Sequence, residues 1–353
     1  MGPGTGKTMQ EIAREIGLSR TTVSLVLQGK GDDYRISKDT QELIHAHVVK
    51  SGYKPNFFAK ALNRKKSDII GAVFPDVFES FMGNIIRGLE SVLYPKGYSL
   101  MISTSNFDQQ REKSILDKMV WQGVDGIILV PTMPFRSREV VDGELNRYDG
   151  THIAGLVEKN YPLVVADRLV PGHDCHSVLQ DDRNSALKML RQLYREGYQR
   201  TCCVSFDLAA SSIAERLAAC KEASDEAGVE LRHILLQSLK PEEDDLERAL
   251  DLLFQEQEPP DSWFVTTSGL AEKLIWLLEK RGRRDPVLRF GETPPWTIGK
   301  GVPVRDIPHP HREIGSAAAK LLLDLIEKGA QKVPEDRAAG PFRHIICQSS
   351  VSL

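Results

Sequence analysis

A guanidinium and three hydroxyls crowd one short stretch of the chain: Arg20, Thr21, Thr22 and Ser24 within SRTTVSLVL. At the start of a helix such groups hydrogen-bond base edges in the major groove or the phosphates beside it. The first eight residues, MGPGTGKT, suggest a second chemistry, because Gly-Lys-Thr closes a phosphate-binding loop. That loop needs a glycine five positions earlier and a strand ahead of it. Met1 holds the glycine's place and no strand precedes it, so backbone amides are not gathered for ATP or GTP. His45, His309 and His311 show no nucleophile-and-base or metal-ligand spacing, and the Pro-His-Pro-His run at 308–311 reads as a loop. Cys175, Cys202, Cys203, Cys220 and Cys347 are odd in number and lack histidine partners at metal spacing, so they read as free thiols. No catalytic residue, metal or cofactor is expected.

Base-reading groups need a helix held at a fixed angle, and residues 9–27 supply two. Ile12, Ala13 and Ile16 recur at helical spacing, and Gly17 follows where a helix stops in a left-handed residue. Leu18 fills the gap and Ser19 stands as an N-cap. Val23, Val26 and Leu27 give the second helix an apolar face. The pattern reads as a helix-turn-helix, although a plain helical hairpin shares it. A third helix is expected from about Ser37 to Ser51 on Thr40, Leu43, Ile44 and Val48, ended by Gly52. After the break at Tyr53-Lys54-Pro55-Asn56 comes FFAKALNRKK. Its Ala59, Leu62, Arg64, Lys65 and Lys66 are expected to form one short helix against DNA, with Leu62 available as an apolar wedge between base steps. Residues 1–66 hold 12 Lys and Arg against 6 Asp and Glu, a surplus of +6, and the remainder carries 34 against 43, or −9, within a total of −3. A basic head on an acidic body suits nucleic-acid binding.

At 353 residues and 41% hydrophobic content, two or three globular units are expected. No uncharged apolar run reaches 18 residues and no signal-peptide core opens the chain, so a cytoplasmic protein without membrane contact is expected. From Asp68 onward strand and helix patterns alternate. Strands are read at Ile69–Phe74, Tyr98–Thr104, Gly126–Val130, Leu163–Ala166, near Val178, and at Thr201–Phe206, Ile234–Gln237, Trp263–Thr267 and Val287–Phe290. Helices are read at Phe78–Lys96, Gln109–Gln122, Arg183–Glu196, Ser212–Ala227, Asp244–Gln255 and Leu270–Arg281, then Arg312–Lys328 before a last strand near Ile345–Val351. The expected class is α/β, with two doubly wound parallel-sheet lobes and a small all-α helix-turn-helix domain in front. A cleft between the lobes would take a small ligand.

In this order the motifs IAREIGLSRTTVSLVLQG, ISKDTQELI, GYKPNFFAKAL, IIGAVFPDVFESFMGNIIRGLE, WQGVDGIILVP, VVADRLVP and SSIAERLAA resemble the LacI/GalR family of bacterial transcriptional regulators over nearly the whole chain. The resemblance implies a head at 1–54, a hinge helix at 55–66 and a two-lobed effector-binding and dimerisation domain at 67–353, similar to periplasmic sugar-binding proteins. The N-lobe would hold 67–166 plus 297–330, and the C-lobe 167–296 plus 331–353. It further implies a homodimeric repressor reading a pseudo-palindromic double-stranded DNA operator, with affinity set by a small-molecule effector. A small-molecule binding protein without DNA function is the alternative, and the basic hinge weighs against it.

Carried over by position, Arg20 and Thr21 are the base contacts. Ser19, Thr22, Ser24 and Asn56 touch phosphate or brace the head, Ala59 lies on the hinge, and Leu62 is the minor-groove wedge. Leu25 stands where the family usually has arginine, so one base contact is absent or apolar. For the effector site, Arg216 reaches the cleft, Asp167 sits at the lobe crossover, Phe81 lines the first lobe, and Thr267 and Glu292 hold further signature places. An Arg216 ion pair with an aspartate could instead be structural. Glu79-Ser80, Thr267-Ser268 and Gly291-Glu292-Thr293 depart from the groups that would bracket sugar hydroxyls. A non-sugar metabolite, a phosphorylated ligand or no ligand stays open.

Overall fold

Ile12, Ala13, Val23, Val26 and Ile44 come from three successive helical patterns and meet in one small core. The helices are α1 (Met9–Glu15), α2 (Arg20–Leu27) and α3 (Lys38–Ser51). Each begins on a hydroxyl cap: Thr8 forms a reciprocal capping box with Glu11, and Ser19 and Ser37 accept from the backbone N–H three residues on. Gly17, at φ 67°, makes the turn between α1 and α2 in a conformation that side chains resist. The computed structural model describes residues 7–53, 66–76, 80–134, 140–141, 144–145, 148–237, 245–291, 301–328 and 343–348. It falls into two units, one running to Ser67 and one from Asp68.

The second unit is built on two parallel sheets. Strands β1 (Ile69–Phe74), β2 (Ser99–Thr104), β3 (Gly126–Leu129), β6 (Leu163–Ala166), β7 (Ser177–Gln180) and β13 (His344–Cys347) form the first, in the order β13-β7-β6-β3-β1-β2. Strands β8 (Arg200–Phe206), β9 (Glu230–Leu236), β10 (Ser262–Val265), β11 (Val287–Phe290) and β12 (Val304–Ile307) form the second, in the order β12-β11-β10-β8-β9. A short antiparallel pair, β4 (Val140–Val141) with β5 (Glu144–Leu145), stands apart. Strands such as IIGAVF and GIIL are apolar on both sides because helices cover both faces, and each sheet has an apolar cluster on either face.

Helices α4 (Ser80–Leu93), α5 (Gln109–Trp121) and α6 (Thr151–Glu158) serve the first sheet. Helices α7 (Asp182–Arg195), α8 (Ser211–Ala227), α9 (Asp245–Leu253) and α10 (Ser268–Lys280) serve the second, and α11 (His311–Lys328) returns to the first.

Three expected lobe boundaries are corrected. Strands β7 and β13 belong to the first sheet, where residues 167–180 and the C-terminal strand were assigned to the second. Strand β12 lies in the second sheet, although 297–330 was assigned to the first. The Asp167 N–H donates to the Val178 carbonyl at 3.0 Å, and Val178 joins the apolar cluster of Ile70, Ile128 and Val164. The chain therefore completes one more strand before it leaves the first sheet. It crosses at Asp181-Asp182 and returns at 308–311.

Helices α4 and α11 approach backbone to backbone. A Cβ at Gly88 would lie 2.2 Å from the Arg312 carbonyl oxygen, and one at Gly315 would lie 2.1 Å from that of Ile85. Gly315→Ala should therefore lower stability by about 1–3 kcal/mol through overpacking. In urea the midpoint should fall with the slope unchanged, and an unmoved midpoint would show that the helices can separate at no cost.

Candidate functional site

In the head, Ser19 Oγ accepts from the Thr22 N–H at 3.0 Å and lies 2.8 Å from Thr22 Oγ1. Ser24 Oγ accepts from Gln28 Nε2 at 2.9 Å. These three hydroxyls brace α2, while Arg20 and Thr21 are exposed at its first turn. Val23 and Val26 point into the core. The opposite face, at steps of one, three and four residues, carries Arg20, Thr21, Ser24, Leu25 and Gln28. Lys7 and Thr8 of the Gly-Lys-Thr run are committed elsewhere: Thr8 caps α1 and Lys7 pairs with Glu15 at 2.5 Å. Asn56, Ala59 and Leu62 of the expected hinge helix lie outside the described residues.

In the second unit a cleft gathers Asp167, Arg216 and Thr267, three of the five residues expected there. Glu292 and the side chain of Phe81 lie outside the described residues. Asp167 ends β6 at φ 71°, a left-handed conformation that costs a non-glycine residue about 1 kcal/mol. Its Oδ2 accepts from Arg168 Nε at 2.9 Å and Nη2 at 2.8 Å, and Oδ1 takes no part in that pair. Thr267 Oγ1 is buried and has no hydrogen-bond partner among the described residues, which leaves it available to a ligand. Phe206, Leu208 and Ile213 supply apolar wall.

Arg216 is held on every side. Its Nε donates to Asp182 Oδ1 at 2.7 Å and its Nη1 to the Thr266 carbonyl at 2.6 Å, and its guanidinium lies 4.1 Å over the Phe290 ring. The aspartate partner is thus Asp182, not Asp167. Burial pushes the Asp182 carboxyl up to about 6 against the pull of Arg216. Arg216 Nη2 also lies 3.4 Å from His309 Nε2. Arginine has no acceptor, so Nε2 must be the bare nitrogen, and Nδ1 carries the proton and donates to Gln180 Oε1. Burial first, then the Arg216 charge and His311, hold His309 well below its ordinary value. His311 stacks on it with ring centroids 4.2 Å apart, and burial brings His311 down to about 4.

His309 lies in the loop expected of the Pro-His-Pro-His run, while His311 already opens α11, and both line the cleft. The available signal was position, because that run stands directly ahead of the long last helix. Asp182 gave no sequence signal beyond its place ahead of a helix.

Residues 8–56 match the description of bacterial regulatory proteins of the lacI family, and residues 67–285 match that of periplasmic binding proteins and the sugar-binding domain of the LacI family. The chain belongs to the LacI family. This LacI-family protein is 26% identical over 326 residues to catabolite control protein A of Priestia megaterium, covering 91% of this chain and 93% of that one. It is 27% identical over 338 residues to the HTH-type transcriptional regulator KdgR of Bacillus subtilis (strain 168), covering 93% and 94%. Its fold matches that of the lac repressor dimer bound to operator and the anti-inducer ONPF, with a TM-score of 0.76 at 18% identity over 98% of this chain and 97% of that one. These relatives are transcriptional regulators, not enzymes, and a transcriptional regulator with a DNA-binding head and a sugar-binding-type domain is what this chain is. No helix among the described residues is long and apolar enough to cross a membrane.

Proposed function

We propose that the protein is a cytoplasmic, homodimeric repressor that binds a pseudo-palindromic operator through α2 and responds to a small molecule in the cleft. The observation that carries the reading is the outer face of α2, where Arg20 and Thr21 stand exposed over a helix whose inner face is locked into the head core. Residues 55–66, with Leu62 as wedge, would link this head to the body. The operator-bound dimer among the structural relatives supports a two-fold arrangement.

The effector would present a hydrogen-bonding edge to Asp167 Oδ1 and Thr267 Oγ1 and an apolar body to Phe206 and Ile213. The cleft lies between the two sheets, beside the crossings at Asp182 and His309, so a ligand that prefers one lobe spacing would shift that equilibrium.

The test is a salt titration of binding to random-sequence duplex DNA. Affinity should fall steeply with log salt, with a slope of about −0.9 per phosphate neutralised. A weak, salt-independent response would overturn the reading.

A further inference from the structure

Leu25 is an apolar side chain on a polar face. Leu18 and Leu27, its neighbours in sequence, pack on the head core of Ile12, Ala13, Val23, Val26 and Ile44, and Leu25 does not. It is half-buried on the outer side of α2, one helical turn after Thr21 and three residues before the exposed Gln28. Around it stand a guanidinium, hydroxyls and an amide, all groups that recognise polar edges, and residues 1–66 carry a surplus of +6 that suits a polyanion. In the major groove the chief apolar feature is the C5-methyl of thymine. A leucine there cannot replace a hydrogen bond to guanine, cytosine or adenine, and it would leave a polar base edge desolvated without a partner.

We propose that Leu25 is a specificity-determining residue that reads one thymine methyl in each operator half-site, beside the position contacted by Thr21. This rests on the reading of α2 as the base-reading helix. The consequence for the operator is an A·T pair at one symmetry-related position per half-site. A methyl buried against Leu25 contributes about as much as one buried methylene, so its removal should weaken binding about fourfold per half-site.

The experiment uses the full chain. A duplex pool with randomised sequence is selected for binding, and each thymine of the enriched site is then replaced in turn by uracil, which removes the methyl and keeps every hydrogen bond. In the wild type, one symmetric pair of replacements should weaken binding about fourfold per half-site. Leu25→Ala should show no uracil penalty at that pair and unchanged penalties elsewhere. Because the DNA substitution leaves the protein untouched, the wild-type result stands even if the alanine variant folds poorly.

An enriched site with no uracil penalty, or with a penalty that Leu25→Ala retains, would overturn the assignment and leave the reading of α2 intact. Leu25→Ala changing self-association in sedimentation, with the uracil response unchanged, would place Leu25 on a protein contact instead. A pool that yields no enriched sequence would overturn both the assignment and the base-reading role of α2.

Discussion

Arg216→Ala should destabilise the body by about 3–5 kcal/mol, because it strands a buried carboxylate. Asp182 is 5% exposed, and Arg216 provides its positive partner at 2.7 Å. The alanine variant also leaves the Thr266 carbonyl without the Nη1 donor and removes the face that covers Phe290. The pH dependence identifies the cause. Burial raises the Asp182 carboxyl from 3.8 to about 6, so the folded state holds this proton more tightly than the unfolded chain does. Such a group favours the fold most at pH values below about 4, and that contribution is lost as the pH rises through about 6. Without Arg216 the carboxyl rises further, and the window moves upward with it.

Thermal unfolding of Arg216→Ala should therefore recover on acidification from about pH 8 to 6 more than the wild type does. Asp182→Asn placed on Arg216→Ala should restore a large part of the loss, because a buried amide needs no counter-charge. A loss that neither acid nor Asp182→Asn repairs would mean that packing against Phe290, not the ion pair, dominates. The same measurement bears on ligand binding. Three of the five N–H groups of Arg216 already have protein partners, so a cleft ligand meets a guanidinium positioned by the fold before it arrives.

The head was legible in the sequence almost residue by residue because its determinants are local. Ser19, Ser37, Gly17 and Gly52 fix the helix ends within a turn of themselves, and the apolar spacing of Ile12, Val23 and Ile44 fixes the inward faces. Buried strands such as Ile69–Phe74 were legible for the same reason. The two edge strands of the second sheet were not. Glu230–Leu236 opens on the polar and charged Glu230, Arg232 and His233 and buries only Ile234, and Val304–Ile307 hides its polarity in ion pairs, Arg305 with Glu196 and Asp306 with Arg289. The apolar run of the first begins only at Ile234, so it was read four residues short, and the second has no apolar run and was missed. Sheet membership was harder still, since β13 pairs with β7 across 167 residues, Ser177 opposite His344, and no local pattern encodes such a partner.

The cleft divides in the same way. Asp167, Arg216 and Thr267 were placed there by resemblance to a family, and the structure gathers them. Asp182 and His309 are partners created by the fold, 34 and 93 residues from Arg216, and only the crossing segments bring them together.

The segment 134–160, longer and more charged than its place between two strands requires, has its anchor in Glu112. This carboxylate is fully buried on α5, a helix otherwise rich in exposed polar side chains. Its Oε2 accepts from the Thr132 N–H at 2.6 Å, and its Oε1 accepts from the Tyr148 hydroxyl at 2.8 Å and lies 2.9 Å from His152 Nε2. One side chain thus ties the exit of β3 to the start of α6. Tyr148 and Ile153 complete the attachment by packing in an apolar cluster with Leu208 and Ile213, and Pro134 accepts from the Ala209 N–H at 3.0 Å. Burial, then the nearby Glu112, pushes the Tyr148 phenol well above its ordinary value, so it stays protonated and able to donate.

Glu112→Ala removes the acceptor of three groups that have little access to water, at about 1–3 kcal/mol for each buried donor left unpaired; the space vacated lets the donors relax or take up water, so a total loss at the lower end of that sum, about 3–5 kcal/mol, is expected. Glu112→Gln keeps the volume and one acceptor oxygen but turns an N–H₂ toward a donor, and about half of that loss should follow. Hydrogen exchange locates the effect: in both variants the amides of Thr132 and residues 151–156 should lose protection before those of β8 and β10 do. Equal midpoints for the wild type and Glu112→Ala, or uniform deprotection across both sheets, would show that the segment is held by its apolar contacts with Leu208 and Ile213 instead.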